Sequence, residues 1–394
     1  MAIHLLERGA RVRSRRDENP LLTALRHVDY VLLAATLAIS AFGVIMVYSA
    51  TRNVFVYEPT YYLKRQVVYL VLGVGLMLMC MVVDYRRLEQ WGYILYGLVV
   101  CSLLAVFAIG KQVAAGSGAA STGDTQRWIQ FGPIHIQPSE FGVLAVIVAV
   151  GLYASRHETE LGPRRLIVMA AMVLLPMALV YKQPDLGTTI VIAVVVAALL
   201  VFAGVKLRYL VGAAAVVALG VTLIFQFNLL SGYQMARIHS FFNQSQAASS
   251  ANYNLTLAKE AIGSGGLKGL GLFHGPLTTL QYVPVAYADF IFSAIGEQTG
   301  FIGATVVLGL FALIVFRIFR AMQVARDTLG RLICGGVLAF VVFSVFQNVG
   351  MNVGLMPITG IPLPFISYGG SALLAFFAAI GLVANVEMRR FRMR

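Results

Sequence analysis

Charge is scarce in this chain of 394 residues. Asp, Glu, Lys and Arg make up 12% of it, about half of what a soluble domain carries. That little polar side chain cannot cover a water-facing globule, so an ordinary soluble enzyme is excluded and lipid must solvate much of the surface. Cysteine is scarcer still. Cys80, Cys101 and Cys334 all fall inside apolar runs, where they are expected to pack as small hydrophobes without a disulfide. Internal repeats are absent, which weakens an inverted-repeat transporter reading. No stretch has the composition of a separate soluble module. A cleavable leader is not expected: the first 27 residues are polar and Arg-rich, and the apolar run after them is long enough to span and remain.

Apolar residues are what the chain has, at 59% with a mean hydropathy of +0.81. A spanning helix needs about 20 of them in a row. Ten runs qualify: 30–48, 66–83, 93–109, 139–154, 166–181, 186–204, 210–227, 290–316, 332–355 and 372–386. The fold predicted is an all-α integral membrane protein of about ten transmembrane helices. The net charge of +13 does not point to nucleic acid, because the basic residues flank the apolar runs. With both termini cytoplasmic, 21 of the 30 Lys and Arg fall on the inner side, as the positive-inside rule requires. The organisation expected is a basic tail over 1–29, one membrane domain over 30–386 and a short basic tail over 387–394. A large extracytoplasmic loop, 228–288, joins the seventh and eighth helices. Its apolar periodicity at 233–242 and 253–262 predicts short amphipathic helices along the membrane surface, and 114–123 reads as a flexible linker.

Polar groups collect on the outer side. Arg127 and Trp128 can hold an anion or a sugar at the interface. Ser139, after Pro138, is a plausible cap for the fourth helix, with Glu140 in its first turn. Lys182 and Asp185 flank a tight turn, where they either pair with each other or leave Lys182 to reach a phosphate. The run Gly263-Ser264-Gly265-Gly266-Leu267-Lys268-Gly269 is either an anion nest or a structural turn. Asp289 lies where the long loop meets the membrane. Glu297 follows about 12 Å further along the helix, inside an apolar stretch where a charge is costly; Arg127 or Gln347 is the partner expected for it. The uncharged segment 348–371 includes Pro357, Pro362, Pro364, Gly360, Gly369 and Gly370. It cannot form a regular span, so it is expected to fold back as a re-entrant turn that shapes a groove.

These motifs, in order, resemble the SEDS family (shape, elongation, division and sporulation). They run from Tyr48-Ser49-Ala50 through Arg127-Trp128-Ile129, Gln137-Pro138-Ser139-Glu140, Gln183-Pro184-Asp185-Leu186-Gly187-Thr188, Ile262-Gly263-Ser264-Gly265-Gly266-Leu267 and Asp289-Phe290-Ile291-Phe292 to Gly360-Ile361-Pro362-Leu363-Pro364. The segment from Gly354 to Pro362 is more similar to the RodA-like elongation branch than to the FtsW-like division branch. The resemblance implies a membrane glycosyltransferase of the bacterial cell membrane that polymerises lipid II into glycan strands, partnered by a class B penicillin-binding protein. It makes Asp289 the counterpart of the catalytic aspartate and expected general base. Arg127, Trp128, Lys182, Arg237, Lys259 and Lys268 are the candidates for sugar or pyrophosphate. Glu140, Asp185, Glu297, Pro362, Pro364, Ser367, Gly369 and Gly370 are expected to shape the groove. A divalent cation could share the leaving-group charge, but no carboxylate cluster predicts a metal site. The chain departs from the family pattern at Val285 and Tyr287, where a Glu and a His are usual, at Val143 in place of a Lys, and at Leu257 in place of a Gln. Two rival functions follow from the same features: a flippase for the lipid-linked precursor, or a non-catalytic scaffold for a penicillin-binding protein.

Overall fold

The computed structural model describes residues 27–54, 58–109, 127–131, 134–157, 161–227, 235, 241–242 and 250–390. Arg237, most of 233–242 and the expected linker at 114–123 lie outside the described residues. Ten apolar helices correspond to the ten predicted runs: α1 (Tyr30–Thr51), α2 (Tyr61–Val82), α3 (Leu88–Ile109), α4 (Pro138–Ser155), α5 (Pro163–Lys182), α6 (Leu186–Phe202) and α7 (Leu207–Gln226), then α10 (Ile291–Val324), α11 (Thr328–Asn352) and α12 (Gly370–Met388). Among the described residues eight of these are long and apolar enough to cross a membrane, and α6 and the apolar part of α7 are shorter. Among the described residues the outer loop also holds α8 (Ser250–Ser264) and α9 (Pro276–Thr279). A short hairpin, β1 (Ile129–Phe131) against β2 (Ile134–Ile136), is antiparallel with Ile129 opposite Ile136. The sequence reading did not foresee it.

Local chemistry sets the helix starts. Asp29 caps α1 by accepting from the amides of Val31 and Leu32, both at 3.0 Å, and pairs through its other oxygen with Arg317 of α10. Asp327 caps α11 through the Gly330 amide and also accepts from the Tyr85 hydroxyl at 2.6 Å. These carboxylates anchor the inner helix ends to their neighbours. Asn385 of α12 donates to the carbonyls of Cys80 and Met81 near the end of α2 and to that of Val83 just past it. The core lies among α1, α2, α4, α6, α10, α11 and α12. Phe340 and Phe376 stack within it, 4.4 Å between ring centroids, where it borders the cavity.

The turn at 266–271 is held by a break in α10. Gly300 takes φ +64° and ψ −165°, a region only glycine occupies readily. The break exposes backbone groups that the chain at 266–271 satisfies. Phe301 and Ile302 donate to the carbonyls of Gly266 and Leu267, while Leu270 and Gly271 donate to those of Glu297 and Gln298. The Gly-rich run is therefore a structural turn laid into a helix break. The α8 helix is amphipathic, as expected of 253–262. Its buried Leu257, Ala258 and Ala261 form a small second apolar cluster with Val283, Ala286 and Phe290.

Candidate active site

A cavity of about 420 Å³ opens at the outer end of the bundle, within the roughly 300–1,000 Å³ of ligand pockets. Its wall is drawn from the starts of α2, α4, α6 and α12, the outer half of α11, the segment before α10 and the re-entrant segment. Asp289 lines it, half-buried, together with Arg65, Arg127, Trp128, Glu140 and Asp185. Pro362, Gly369 and Gly370 line it too, whereas Pro364 and Ser367 stand behind the wall.

The backbone at Asp289 is held from three sides. Asn348 of α11 donates its side-chain amide to the Asp289 carbonyl at 3.0 Å and to the Ile361 carbonyl at 2.9 Å. Asn352, one turn on, also reaches the Asp289 carbonyl, at 3.3 Å, and accepts from the Ser293 amide at the start of α10. The re-entrant segment closes the third side. Ser367 donates to the Ala288 carbonyl at 2.7 Å, and the Tyr368 amide to the Tyr287 carbonyl at 2.9 Å. The irregular backbone thus has the internal partners that membrane depth demands. Gly370 lets the re-entrant chain meet α2: a Cβ there would sit 2.4 Å from the Tyr69 ring.

Several expected partnerships are corrected. Glu297 is fully buried, but neither Arg127 nor Gln347 reaches it. It accepts from the amides of Leu277 and Thr278 and from the Thr278 hydroxyl, so it fastens the start of α9 to α10. Arg127 donates instead to the Pro184 carbonyl at 2.7 Å, and Gln347 to that of Pro357. Asp185 does not pair with Lys182. It caps α6 through the Thr188 amide and accepts from Thr188, Ser139 and Gln137 side chains. Ser139 is consequently inside α4 and not its cap, which is Gln137. Lys182, Lys259 and Lys268 are exposed and none lines the cavity. Their distance from it is a matter of helix face and loop path, which composition does not encode.

Arg65 was missed. It stands just before the second apolar run, where a cation ordinarily reads as an interfacial anchor. Its guanidinium lies 4.5 Å from the Tyr61 ring centroid and acts on the Tyr368 hydroxyl. Tyr62, Tyr287 and Tyr368 were missed as a group, because they join only in three dimensions. Burial pushes the Tyr368 phenol up to about 12. The Tyr287 phenol is raised as well, by burial first and then by its bond to Tyr62. Three of the four departures from the family pattern, Val143, Val285 and Tyr287, line this cavity. Leu257 belongs to the α8 cluster instead. Glu140 is buried, and no hydrogen bond or ion pair to its carboxylate is found among the described residues. Among the described residues no group of three His, Cys, Asp or Glu side chains could share a metal ion.

Fold and cavity together define a multi-pass membrane protein with three acids, two guanidinium groups and a tyrosine cluster in a cleft at one end of the bundle. The FtsW/RodA/SpoVE family model, described as cell cycle protein, matches residues 30–391. The chain is 31% identical to peptidoglycan glycosyltransferase MrdB of Escherichia coli over 364 residues, covering 92% of this chain and 94% of the relative. It is 32% identical over 370 residues to the probable peptidoglycan glycosyltransferase FtsW of Trichlorobacter lovleyi, again with 92% and 94% covered. Among solved structures, a chain from a peptidoglycan synthase complex that coordinates polymerization and crosslinking superposes with a TM-score of 0.78 at 28% identity, over 93% of this chain and 99% of that one. The rod shape determining protein RodA of Thermus thermophilus superposes with a TM-score of 0.68 at 26% identity, over 93% and 98%. The chain belongs to the SEDS family.

Proposed function

We propose that this protein is a peptidoglycan glycosyltransferase that polymerises lipid II at the outer face of the bacterial cell membrane, with Asp289 as general base. One observation carries the base assignment: Asp289 shares its cavity with Arg65 and Arg127. In the reaction a sugar hydroxyl of one lipid-linked chain attacks the anomeric carbon of another. Its proton passes to the Asp289 carboxylate as the new C–O bond forms. The bond to the polyprenyl diphosphate breaks, and its electron pair leaves with the diphosphate. Transition-state charge on that group needs donors already in place, and a guanidinium fork matches phosphate oxygens. Among the described residues no partner is found for the buried Nε of Arg127, whose Nη2 donates to the Pro184 carbonyl.

The likeness to a chain from a complex that couples polymerization with crosslinking supports a class B penicillin-binding protein as the working partner. The likeness to the rod shape determining protein RodA supports a role in cell elongation. The test is glycan synthesis by purified protein in vesicles given lipid II on the outer leaflet only. The wild type makes polymer, and Asp289→Asn loses about 10²–10⁴-fold, the usual contribution of a positioned base. Equal polymer from both would remove Asp289 from the role. No polymer from the wild type alongside lipid translocation would favour the flippase.

A further inference from the structure

Serine and threonine on an apolar helix ordinarily turn their hydroxyls back on the carbonyl four residues earlier. Thr36, Ser40, Thr189 and Thr299 do so in α1, α6 and α10. Ser344 of α11 does not. It is fully buried, it lines the cavity, and no partner for its hydroxyl is found among the described residues. Glu140 of α4 shares that condition: it is 9% exposed, stands on the cavity wall, and has no bond or ion pair to its carboxylate among the described residues. The helix register brings the two together. A Cβ at Gly151 would lie 3.5 Å from Leu332, and one at Gly336 would lie 2.7 Å from Ile147, so α4 and α11 run antiparallel in contact. One turn further along each places Val143 opposite Phe340, and the next places Glu140 level with Ser344. All four line the cavity. Val143 brings no charge to Glu140. The Thr359 hydroxyl of the re-entrant segment, also buried without a partner among the described residues, lines the same space.

Buried polar groups are ordinarily hydrogen-bonded, and a few placed on a pocket wall fix a ligand's orientation. What the ligand brings follows from the groups around it. A carboxylate accepts hydrogen bonds and repels phosphate, so a diphosphate belongs with Arg65 and Arg127 on the same wall and not at Glu140. A polyprenyl tail would leave both side chains as bare as before. Hydroxyl and amide N–H groups satisfy a carboxylate and a serine hydroxyl alike, and an N-acylated sugar presents them close together. Asp185, the neighbouring acid on this wall, already accepts from four donors and does not compete. We infer that Glu140 and Ser344 form a sugar-binding pair, with the Glu140 carboxylate accepting from an N-acylated sugar of the lipid-linked substrate and the Ser344 hydroxyl bonding to the same unit. The departing polyprenyl diphosphate lacks that sugar. It loses both bonds, so it is held less tightly than the substrate it came from.

This inference rests on the glycosyltransferase reading above, and the experiment separates the two. Equilibrium binding to the full chain in lipid nanodiscs is measured for three ligands: lipid II, the same lipid-linked disaccharide without its peptide, and polyprenyl diphosphate. The proteins are the wild type, Glu140→Leu and Ser344→Ala, with thermal melting as a folding control. Glu140→Leu is expected to weaken both sugar-bearing ligands about tenfold or more, as the loss of a charge-assisted bond does. Ser344→Ala is expected to weaken them about fivefold, as the loss of a neutral bond does. Polyprenyl diphosphate stays within about twofold in both variants. Equal weakening of all three ligands would assign the pair to packing or to the diphosphate, and unchanged binding of all three would leave it without a ligand; either result overturns the inference while the glycosyltransferase reading stands. Weakening of lipid II alone would assign the pair to the peptide and overturn it too. A wild type that does not bind lipid II would remove the underlying reading instead. Should Glu140→Leu melt early, Ser344→Ala decides by the same criterion, since the hydroxyl it removes has no bond among the described residues to lose.

Discussion

The side-chain amide of Asn348 is shared between the backbone carbonyls of Asp289 and Ile361. One buried residue on α11 therefore sets the distance between the candidate base and the re-entrant segment. Asn348→Asp keeps the shape but cannot donate, and it turns a carboxylate oxygen toward two carbonyls. Each buried acceptor left without its donor costs about 1–3 kcal/mol. A displacement of about 1 Å at a reacting group can cost 10²-fold. The expected outcome is a lower melting temperature together with at least a tenfold loss of polymer formed per folded molecule. Thermal melting and glycan yield on the same preparation check it. A variant that melts early yet polymerises normally would restrict Asn348 to a purely structural part.

Gly300 predicts the opposite pattern. A Cβ there would lie 2.3 Å from the Gly269 nitrogen, and the dihedral itself belongs to glycine. Gly300→Ala should cost about 1–3 kcal/mol from the dihedral alone, with the clash adding to it. The damage is expected at the 266–271 turn, which limited proteolysis would register as a new cleavage there. The cavity wall is supplied by other segments, so molecules that remain folded should polymerise at a near-normal rate.

Most of the fold was legible because lipid imposes one rule, about 20 apolar residues per crossing, and among the described residues eight of the ten helices are long and apolar enough to meet it. The outer loop's second helix was legible by the same means, since α8 shows its apolar face at helical spacing. What could not be read was pairing at a distance. The Gly-rich run gives no sign that its partner is a helix break some 30 residues on. Glu297 advertises that it is costly but not that Thr278 satisfies it. Which cations line the cavity could not be read for a related reason. Lys182 and Lys268 look as suitable for a phosphate as Arg65 does, and only the three-dimensional fold decides that Arg65 lines the cavity with Asp289 while the lysines do not. That Asp289 lines the cavity agrees with where the motif around it placed it, at the junction of the long loop and the membrane.

The tyrosine cluster makes stability depend on alkaline pH. The Tyr368 phenol is raised from its ordinary value near 10 to about 12, by burial first and then by the neighbouring Tyr69. A group whose folded value lies above its unfolded one stabilises the fold fully below the unfolded value and loses that contribution as pH climbs through the folded value. Melting temperature in detergent should therefore hold to about pH 10 and fall between pH 10 and 12. Tyr368→Phe should fall less steeply across that window, because one of the phenols that must ionise is gone. Identical slopes in the two proteins would assign the alkaline loss to other groups.

Arg65 is the sharpest test of how the cavity handles charge. Its guanidinium is steadied by an aromatic face at Tyr61 and by the Tyr368 hydroxyl, and no carboxylate ion pair to it is found among the described residues. Its charge is accordingly available to a diphosphate. Arg65→Ala should reduce polymer formation about 10²-fold or more, comparable to the loss of one donor at a site of developing charge. Arg65→Lys should recover only part of that, because a lysine offers a point charge where the arginine offers a planar fork. Lys182→Ala and Lys268→Ala, outside the cavity, should stay within about twofold of the wild type. Initial rates on lipid II at saturating and limiting concentration would show where the loss falls. An effect on kcat assigns Arg65 to the departing diphosphate, whereas an effect on KM alone assigns it to substrate capture and shifts the leaving-group role to Arg127.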